Sequence, residues 1–161
     1  MYKVGIIGPE ASGKSTLAAY LAKRYSGILV AEYARTYIEQ KGTMTVSYEE
    51  LCEIAKHQIT EIEQAENTCA TGANAEVAFF DTELIVTKVW FDYAFGHVPE
   101  WLSESLAAHP MDVYLLTKPD LPWVQDGARY NGSQTMRMQL YERYEQEIQS
   151  LGVPYYIIEH V

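Results

Sequence analysis

Gly8, Gly13, Lys14 and Ser15 have the types and the spacing of a phosphate cradle. Residues 8–16 read G-P-E-A-S-G-K-S-T, so Gly8, Pro9, Glu10, Ala11, Ser12, Gly13, Lys14, Ser15 and Thr16 contain the pattern G-x-x-x-x-G-K-[ST] of a P-loop. The glycines let the backbone bend tightly around phosphate oxygens with no Cβ in the way. Successive amide N–H groups at a helix N-terminus then converge on the anion, helped by the helix dipole. Lys14 is placed to reach the β- and γ-phosphates and Ser15 to hold Mg²⁺. A chance match in an ordinary turn would lack the context seen here, the apolar run M-Y-K-V-G-I-I over residues 1–7 before the loop and the apolar-periodic L-A-A-Y-L after it.

Asp81 is the second group of this kind. It ends the apolar run A-E-V-A-F-F-D (75–81), and an acid at the end of a second buried strand is what a P-loop enzyme uses to hold Mg²⁺, directly or through water. The plainer reading is an Asp that caps the helix starting at D-T-E-L-I-V, and the two are compatible. Glu32 and Arg35, in E-Y-A-R, follow the short run G-I-L-V-A (27–31). The C-terminal edge of an open α/β sheet is where ligands bind, so both are candidates for the site. A helix-start charge and a surface ion pair would explain them equally well. Residues 90–101, W-F-D-Y-A-F-G-H-V-P-E-W, are rich in aromatics. Such a group lines either a core or a pocket for a flat ring, and Asp92 beside Trp90 would favour a cationic ring.

Net charge narrows the partners. Twelve Lys and Arg stand against twenty-two Asp and Glu, a formal charge of −10, and the scattered basic residues cannot supply the phosphate contacts of a nucleic-acid surface. Arg24 and Arg143 lie in polar helical stretches and read as surface residues. Arg129, in a predicted loop, and Arg137, one turn into the next helix, are candidates for closing over phosphate.

The elements that must position these groups follow from periodicity. Strands are predicted over residues 1–7, 27–31, 75–82, 111–116 and 153–158. Helices are predicted after the P-loop, over 48–68 with Ser47 as N-cap and Glu50 completing a capping box, after Asp81, and over 133–151 with Met136, Leu140, Tyr144 and Ile148 at core spacing. Residues 68–74 read as a turn, and His57, Cys52 and His97 as ordinary helix or turn residues. The stretch T-K-P-D-L-P-W-V-Q-D-G-A-R-Y-N-G is too rich in Pro and Gly for regular structure and predicts a lid over about 120–137. Alternation of strand and helix implies a mostly parallel five-stranded sheet with helices on both faces. The 161 residues, 48% of them hydrophobic, suit one α/β domain over 1–161. No apolar run approaches the roughly twenty residues of a bilayer span, and no signal-peptide layout opens the chain. The expectation is a soluble, cytoplasmic protein with Cys52 and Cys69 reduced.

Two functions fit this frame. An ATP- and Mg²⁺-dependent phosphotransferase finds candidates for every part it needs. A GTPase-type switch is the alternative, because T-K-P-D (117–120) imitates the N-K-x-D guanine-reading motif. Against it, the strand-end acid of a switch opens D-x-x-G, and here D-T-E-L stands.

Taken together, G-P-E-A-S-G-K-S-T, E-Y-A-R, F-F-D-T-E and Y-L-L-T-K-P-D-L-P-W-V-Q-D-G-A-R resemble the ribosylnicotinamide kinase domain of NadR-type proteins, in order and across nearly the whole chain. The resemblance implies a P-loop kinase-like fold and transfer of the ATP γ-phosphate to the ribose 5′-hydroxyl of nicotinamide riboside. It puts the P-loop on Gly8 to Ser15, the strand-end acid on Asp81, the lid on Asp120 to Arg129, and Glu32, Tyr33 and Arg35 near the acceptor. Trp90, Asp92, Trp123 and Asp126 would then surround a flat, cationic pyridinium ring. Either Glu32 or Asp81 would orient the 5′-hydroxyl, with Arg129 and Arg137 closing over the phosphates. The adenylyltransferase domain that usually precedes this kinase is expected to be missing from a chain that opens at the kinase strand.

Overall fold

In a computed structural model of the chain, residues 1–10, 12–43, 45–70, 75–119 and 134–159 are described. Ala11, Asp120, Trp123, Asp126 and Arg129, and with them most of the expected lid, lie outside the described residues.

The order of elements is β1 (Tyr2–Ile7), α1 (Lys14–Arg24), β2 (Ile28–Val30), α2 (Tyr33–Lys41), α3 (Tyr48–Ala70), β3 (Val77–Asp81), α4 (Leu84–Phe95), α5 (Glu100–Ala108), β4 (Val113–Thr117), α6 (Gln134–Leu151) and β5 (Tyr155–Ile158). All five strands are parallel, in the order β2-β3-β1-β4-β5. β1 is therefore central, and its neighbours β3 and β4 come from distant parts of the chain. Ile6 pairs with Asp81 and Ile7 with Leu116, so β3 and β4 end beside the point where the P-loop leaves β1.

Alternation along the strands divides the core between two faces. Val4, Ile6, Phe79 and Val113 meet Ala18 and Ala22 of α1. Ile7, Ala78, Phe80, Tyr114 and Leu116 face the other way, toward Ile54 and Ile62 of α3, Ile85 and Val89 of α4, Leu102 of α5, and Leu140, Tyr144 and Ile148 of α6. Both faces carry helices, but very unequally. Among the described residues no helix is long and apolar enough to cross a membrane.

Several expectations shift. Residues 27–31, read as a buried-type strand, contribute only three residues at the sheet edge, where Leu29 is 44% exposed. Helix α3 runs to Ala70 and takes in the first residues of the expected turn. Its start matches the sequence: the Glu50 N–H donates to Ser47 Oγ at 3.1 Å and the Ser47 N–H to Glu50 Oε1 at 3.0 Å. The short helices α2 and α5 were not separately expected, since nine residues each give too little periodicity to stand out.

The cap of α4 is Glu83, not Asp81. The Ile85 N–H donates to Glu83 Oε1 at 3.0 Å. Glu83 is 2% exposed, and this burial pushes its pKa up to about 7, opposed by the amides of Ile85 and Leu84, the Tyr114 hydroxyl and the charge of Lys3. The unfolded chain gives up this proton near pH 4.5 and the folded chain near 7. Folding thus takes up a proton between those values, and stability falls as pH rises through the window. Relative to wild type, Glu83→Gln should gain about 3 kcal/mol between pH 4.5 and 8. Urea denaturation of both proteins across that range measures it, and a pH-independent difference would refute a buried, titrating Glu83.

Candidate functional site

The loop between β1 and α1 is held from both neighbouring strands. On the β3 side, Ser15 Oγ donates to Asp81 Oδ2 at 2.6 Å. On the β4 side, the hydroxyls of Ser12 and Thr117 lie 2.6 Å apart, Ser12 Oγ donates to the Pro9 carbonyl at 2.6 Å, and Thr117 Oγ1 donates to the Ile7 carbonyl at 3.3 Å. Gly8 fits beneath this contact because it has no side chain: a Cβ there would stand 2.0 Å from Thr117 Oγ1 and 2.8 Å from the Thr117 carbonyl. Gly13 caps α1 with φ 86°, a left-handed torsion that glycine adopts without strain. The expected roles of both glycines have a geometric basis.

The lysine and the acid occupy the expected positions. Lys14 begins α1 and its Nζ donates to the Pro9 carbonyl at 3.0 Å, so its ammonium arches over the loop. Thr16 follows in the first turn, exposed. Asp81 is 4% exposed and its Oδ1 has no hydrogen-bond partner. A buried carboxylate oxygen left open beside a serine hydroxyl suits a cation. No group of three or more acidic, His or Cys side chains gathers for a metal among the described residues. The open Asp81 oxygen and the Ser15 hydroxyl fit Mg²⁺, which keeps several waters and takes one or two carboxylates together with phosphate oxygens.

Arg137 differs from its expected place on a moving lid. It is 2% exposed in the first turns of α6, donates through Nε to the Glu10 carbonyl at 3.1 Å, and through Nη1 to Gln134 Oε1 at 3.1 Å. The guanidinium thus fastens α6 to the P-loop backbone. Burying so polar a side chain is tolerable because hydrogen-bond acceptors such as these meet it.

Beside the P-loop, a cleft opens between α2, α3 and α4, with about 760 Å³ of empty volume including its mouth. Ala34, Ile38, Val46, Leu51, Ile54, Val86, Trp90, Ala94 and Phe95 supply its apolar wall. Glu10, Glu32, Arg35, Gln58, Thr82 and Thr87 supply its polar points. Glu10 belongs to the P-loop and Thr82 follows Asp81, so the cleft meets the phosphate cradle at both. Glu32 and Arg35 lie at its rim, where Arg35 also pairs with Glu39 at 3.3 Å.

Two expected cleft residues are elsewhere. Asp92 is two positions from Trp90, about 200° around the helix, so it faces α6 and pairs with Arg143 at 2.9 Å. Tyr33 stacks on His57 of α3 with ring centroids 3.6 Å apart and does not line the cleft. The aromatic run is divided in the same way: Trp90 and Phe95 line the cleft, Phe91 is core, and Trp101 sits on α5 under Lys56. The guanine-reading alternative also loses ground. Thr117 is 2% exposed and committed to the P-loop, and Lys118 pairs with Glu159 at 2.6 Å.

Gln58, Thr82, Thr87 and Phe95 were not singled out from sequence. Gln58 left a signal: it interrupts the apolar stripe Ile54, Ile62 at the intervening i+4 position of α3. Thr82 left none. Its φ of 70° is rare for a β-branched residue, and its N–H donates to the Ile6 carbonyl at 3.0 Å, which holds it there.

Comparison with known proteins places this geometry. Residues 3–161 match the model of a family described as AAA domain. The trifunctional NAD biosynthesis/regulator protein NadR of Salmonella typhimurium is 31% identical over 137 residues, which are 83% of this chain and 32% of that protein. The chain thus spans about a third of the length of the curated relatives it matches. A crystal structure of a NadR protein in complex with NR superposes with a TM-score of 0.81 at 23% identity, over 97% of this chain and 45% of that one. Deoxyadenosine kinase from M. mycoides shares the fold with a TM-score of 0.60 at 17% identity, over 97% of this chain and 89% of that one.

The tight seat of Gly8 makes a prediction. Gly8→Ala should lose about 2–3 kcal/mol of unfolding free energy. Adding Thr117→Ala should recover part of that loss, since the hydroxyl clash goes and the carbonyl clash stays. A double-mutant cycle by urea denaturation reads the coupling, and strictly additive losses would mean that the two residues do not press on each other.

Proposed function

Because the chain belongs to the AAA domain family, we propose that its P-loop domain, residues 1–161, is an ATP-dependent kinase that phosphorylates the ribose 5′-hydroxyl of nicotinamide riboside. The observation that carries this reading is the apolar, Trp90-lined cleft that joins the phosphate cradle through Glu10 and Thr82. A switch needs no second pocket beside its nucleotide; a phosphotransferase needs one for the acceptor. The likeness to NadR proteins, one of them crystallised with NR, favours a pyridinium nucleoside. A flat cationic ring gains from the face of Trp90.

The roles follow from position. The P-loop amides and Lys14 bind the terminal phosphates of ATP and spread their charge. Ser15 and Asp81 would hold Mg²⁺, which neutralises charge on the transferred phosphoryl group. Asp81 is engaged with Ser15, which leaves Glu32 at the cleft rim to accept the proton of the 5′-hydroxyl. The demand on that base is modest, because a loose transition state leaves most of the catalysis to positioning and electrostatics. Arg137 positions the loop rather than touching the reacting atoms, as its bond to the Glu10 carbonyl indicates. Consumption of ATP fits the cytoplasm.

Mass spectrometry of a nucleoside panel incubated with ATP and Mg²⁺ tests the reading. Nicotinamide riboside should gain one phosphate. Lys14→Ala and Asp81→Asn should each lower kcat by roughly 10²–10³-fold, and Glu32→Gln by on the order of 10²-fold, with little change in melting temperature. Tight GTP binding without phosphorylation of any nucleoside would point to the switch instead. Undiminished turnover in Lys14→Ala would end the P-loop assignment.

A further inference from the structure

Gln58 is a polar residue that the fold buries without completing its hydrogen bonds. It lies in the middle of α3, one turn from Ile54 and one from Ile62, each 1% exposed, and is itself 4% exposed. Its Oε1 accepts from Thr87 Oγ1 of α4 at 2.6 Å. Its Nε2 has no partner. Leaving a buried amide nitrogen unpaired costs about 1–3 kcal/mol, and a leucine would pack the same position without that cost. Packing alone does not explain a glutamine here.

Its location supplies a reason. Gln58 and Thr87 both line the cleft beside the P-loop, and Thr87 is 3% exposed, so their hydrogen bond is shielded from water. With the carbonyl oxygen accepting from Thr87, the N–H₂ group is the end of the amide left without a partner. Thr82, on the same wall, is held at φ 70° with its Oγ1 buried and unpartnered. Backbone strain and unmet polar atoms gather at sites built for a ligand.

We infer that Gln58 is a specificity-determining residue: its amide N–H₂ donates to a carbonyl oxygen carried on the ring of the phosphoryl acceptor. This inference rests on the nucleoside kinase reading and sharpens it. The class of acceptor is a nucleoside whose flat ring bears an acceptor oxygen, such as a carboxamide. A ring that presents only an amino group would set donor against donor at the N–H₂ group and leave it unpaired.

Steady-state kinetics with ATP and Mg²⁺ on two acceptors tests it, nicotinamide riboside and the pyridine riboside that lacks the carboxamide. Wild type should prefer the carboxamide compound by roughly 10–100-fold in kcat/KM. Gln58→Leu should remove that preference by raising KM for nicotinamide riboside while leaving kcat, and the pyridine riboside, nearly unchanged. Thr87→Val keeps the amide but frees its orientation, and should weaken the preference without abolishing it. If Gln58→Leu fails to fold, Gln58→Met serves in its place. Equal losses on both acceptors, or an unchanged preference, would show Gln58 to be structural and leave the kinase reading intact. A wild-type protein that phosphorylates neither acceptor would overturn the kinase reading, and this inference with it.

Discussion

Gly8 can be only glycine because Thr117 leaves no space above it, and that contact exists because β4 runs parallel to β1 in a register that ends the two strands together. A polypeptide loop that must present its amides to an anion cannot also bond those amides to itself, so its shape has to be imposed from outside. Here Thr117 and Ser12 impose it on one side, Asp81 through Ser15 on another, and Arg137 through the Glu10 carbonyl on a third. Each partner comes from a different element, and none is near the loop in sequence except Ser12. Preorganisation of this kind means that charge stabilisation requires little rearrangement when the phosphate arrives. The sheet order β2-β3-β1-β4-β5 is what makes it possible, since it sets β1 between β3, which ends in Asp81, and β4, which ends in Thr117.

The cleft is built by different physics. Its wall comes from side chains of three helices, whose apolar faces leave a gap instead of meeting. Trp90 reaches that gap and Asp92 does not because a helix turns by about 100° per residue. Asp92, two positions from Trp90 in sequence, is therefore not on the cleft wall with it, and the acidic side chains that line the cleft are Glu10 and Glu32.

What the sequence disclosed follows the range of the interactions involved. The P-loop, the strand-end acid, the capping box of α3 and the core stripe of α6 are local patterns, and each stands where its spacing put it. The five parallel strands follow from alternation with helices. Residues whose role depends on the partner brought by the fold were harder to place. Arg137 reads as a loop-side cation and is instead buried against Glu10, because α6 packs toward the P-loop. Tyr33 sits in the right motif, yet its ring is taken up by His57 of α3. Gln58 could have been noticed as a break in an apolar stripe; the left-handed torsion of Thr82 is set by its bond to Ile6 and leaves no mark in the sequence.

Where the fold tolerates unmet polar atoms is itself informative. Among the described residues, the buried side-chain atoms without partners are Asp81 Oδ1, Thr82 Oγ1, Glu83 Oε2 and Gln58 Nε2. Three are consecutive in sequence, at the turn from β3 into α4, and the fourth is tied to α4 through Thr87. Unpaired groups of this kind destabilise by about 1–3 kcal/mol each, and scattered through a core they would be defects. Gathered at one turn, they trace a polar seam from the end of β3 to the wall of the cleft. Stability given up along one such seam, beside two clusters of buried apolar residues, indicates that this turn is shaped for what binds there. The left-handed Thr82 is the bend between the two, with Asp81 beside Ser15 of the P-loop on one side and Thr82 itself lining the cleft with Gln58 and Thr87 on the other.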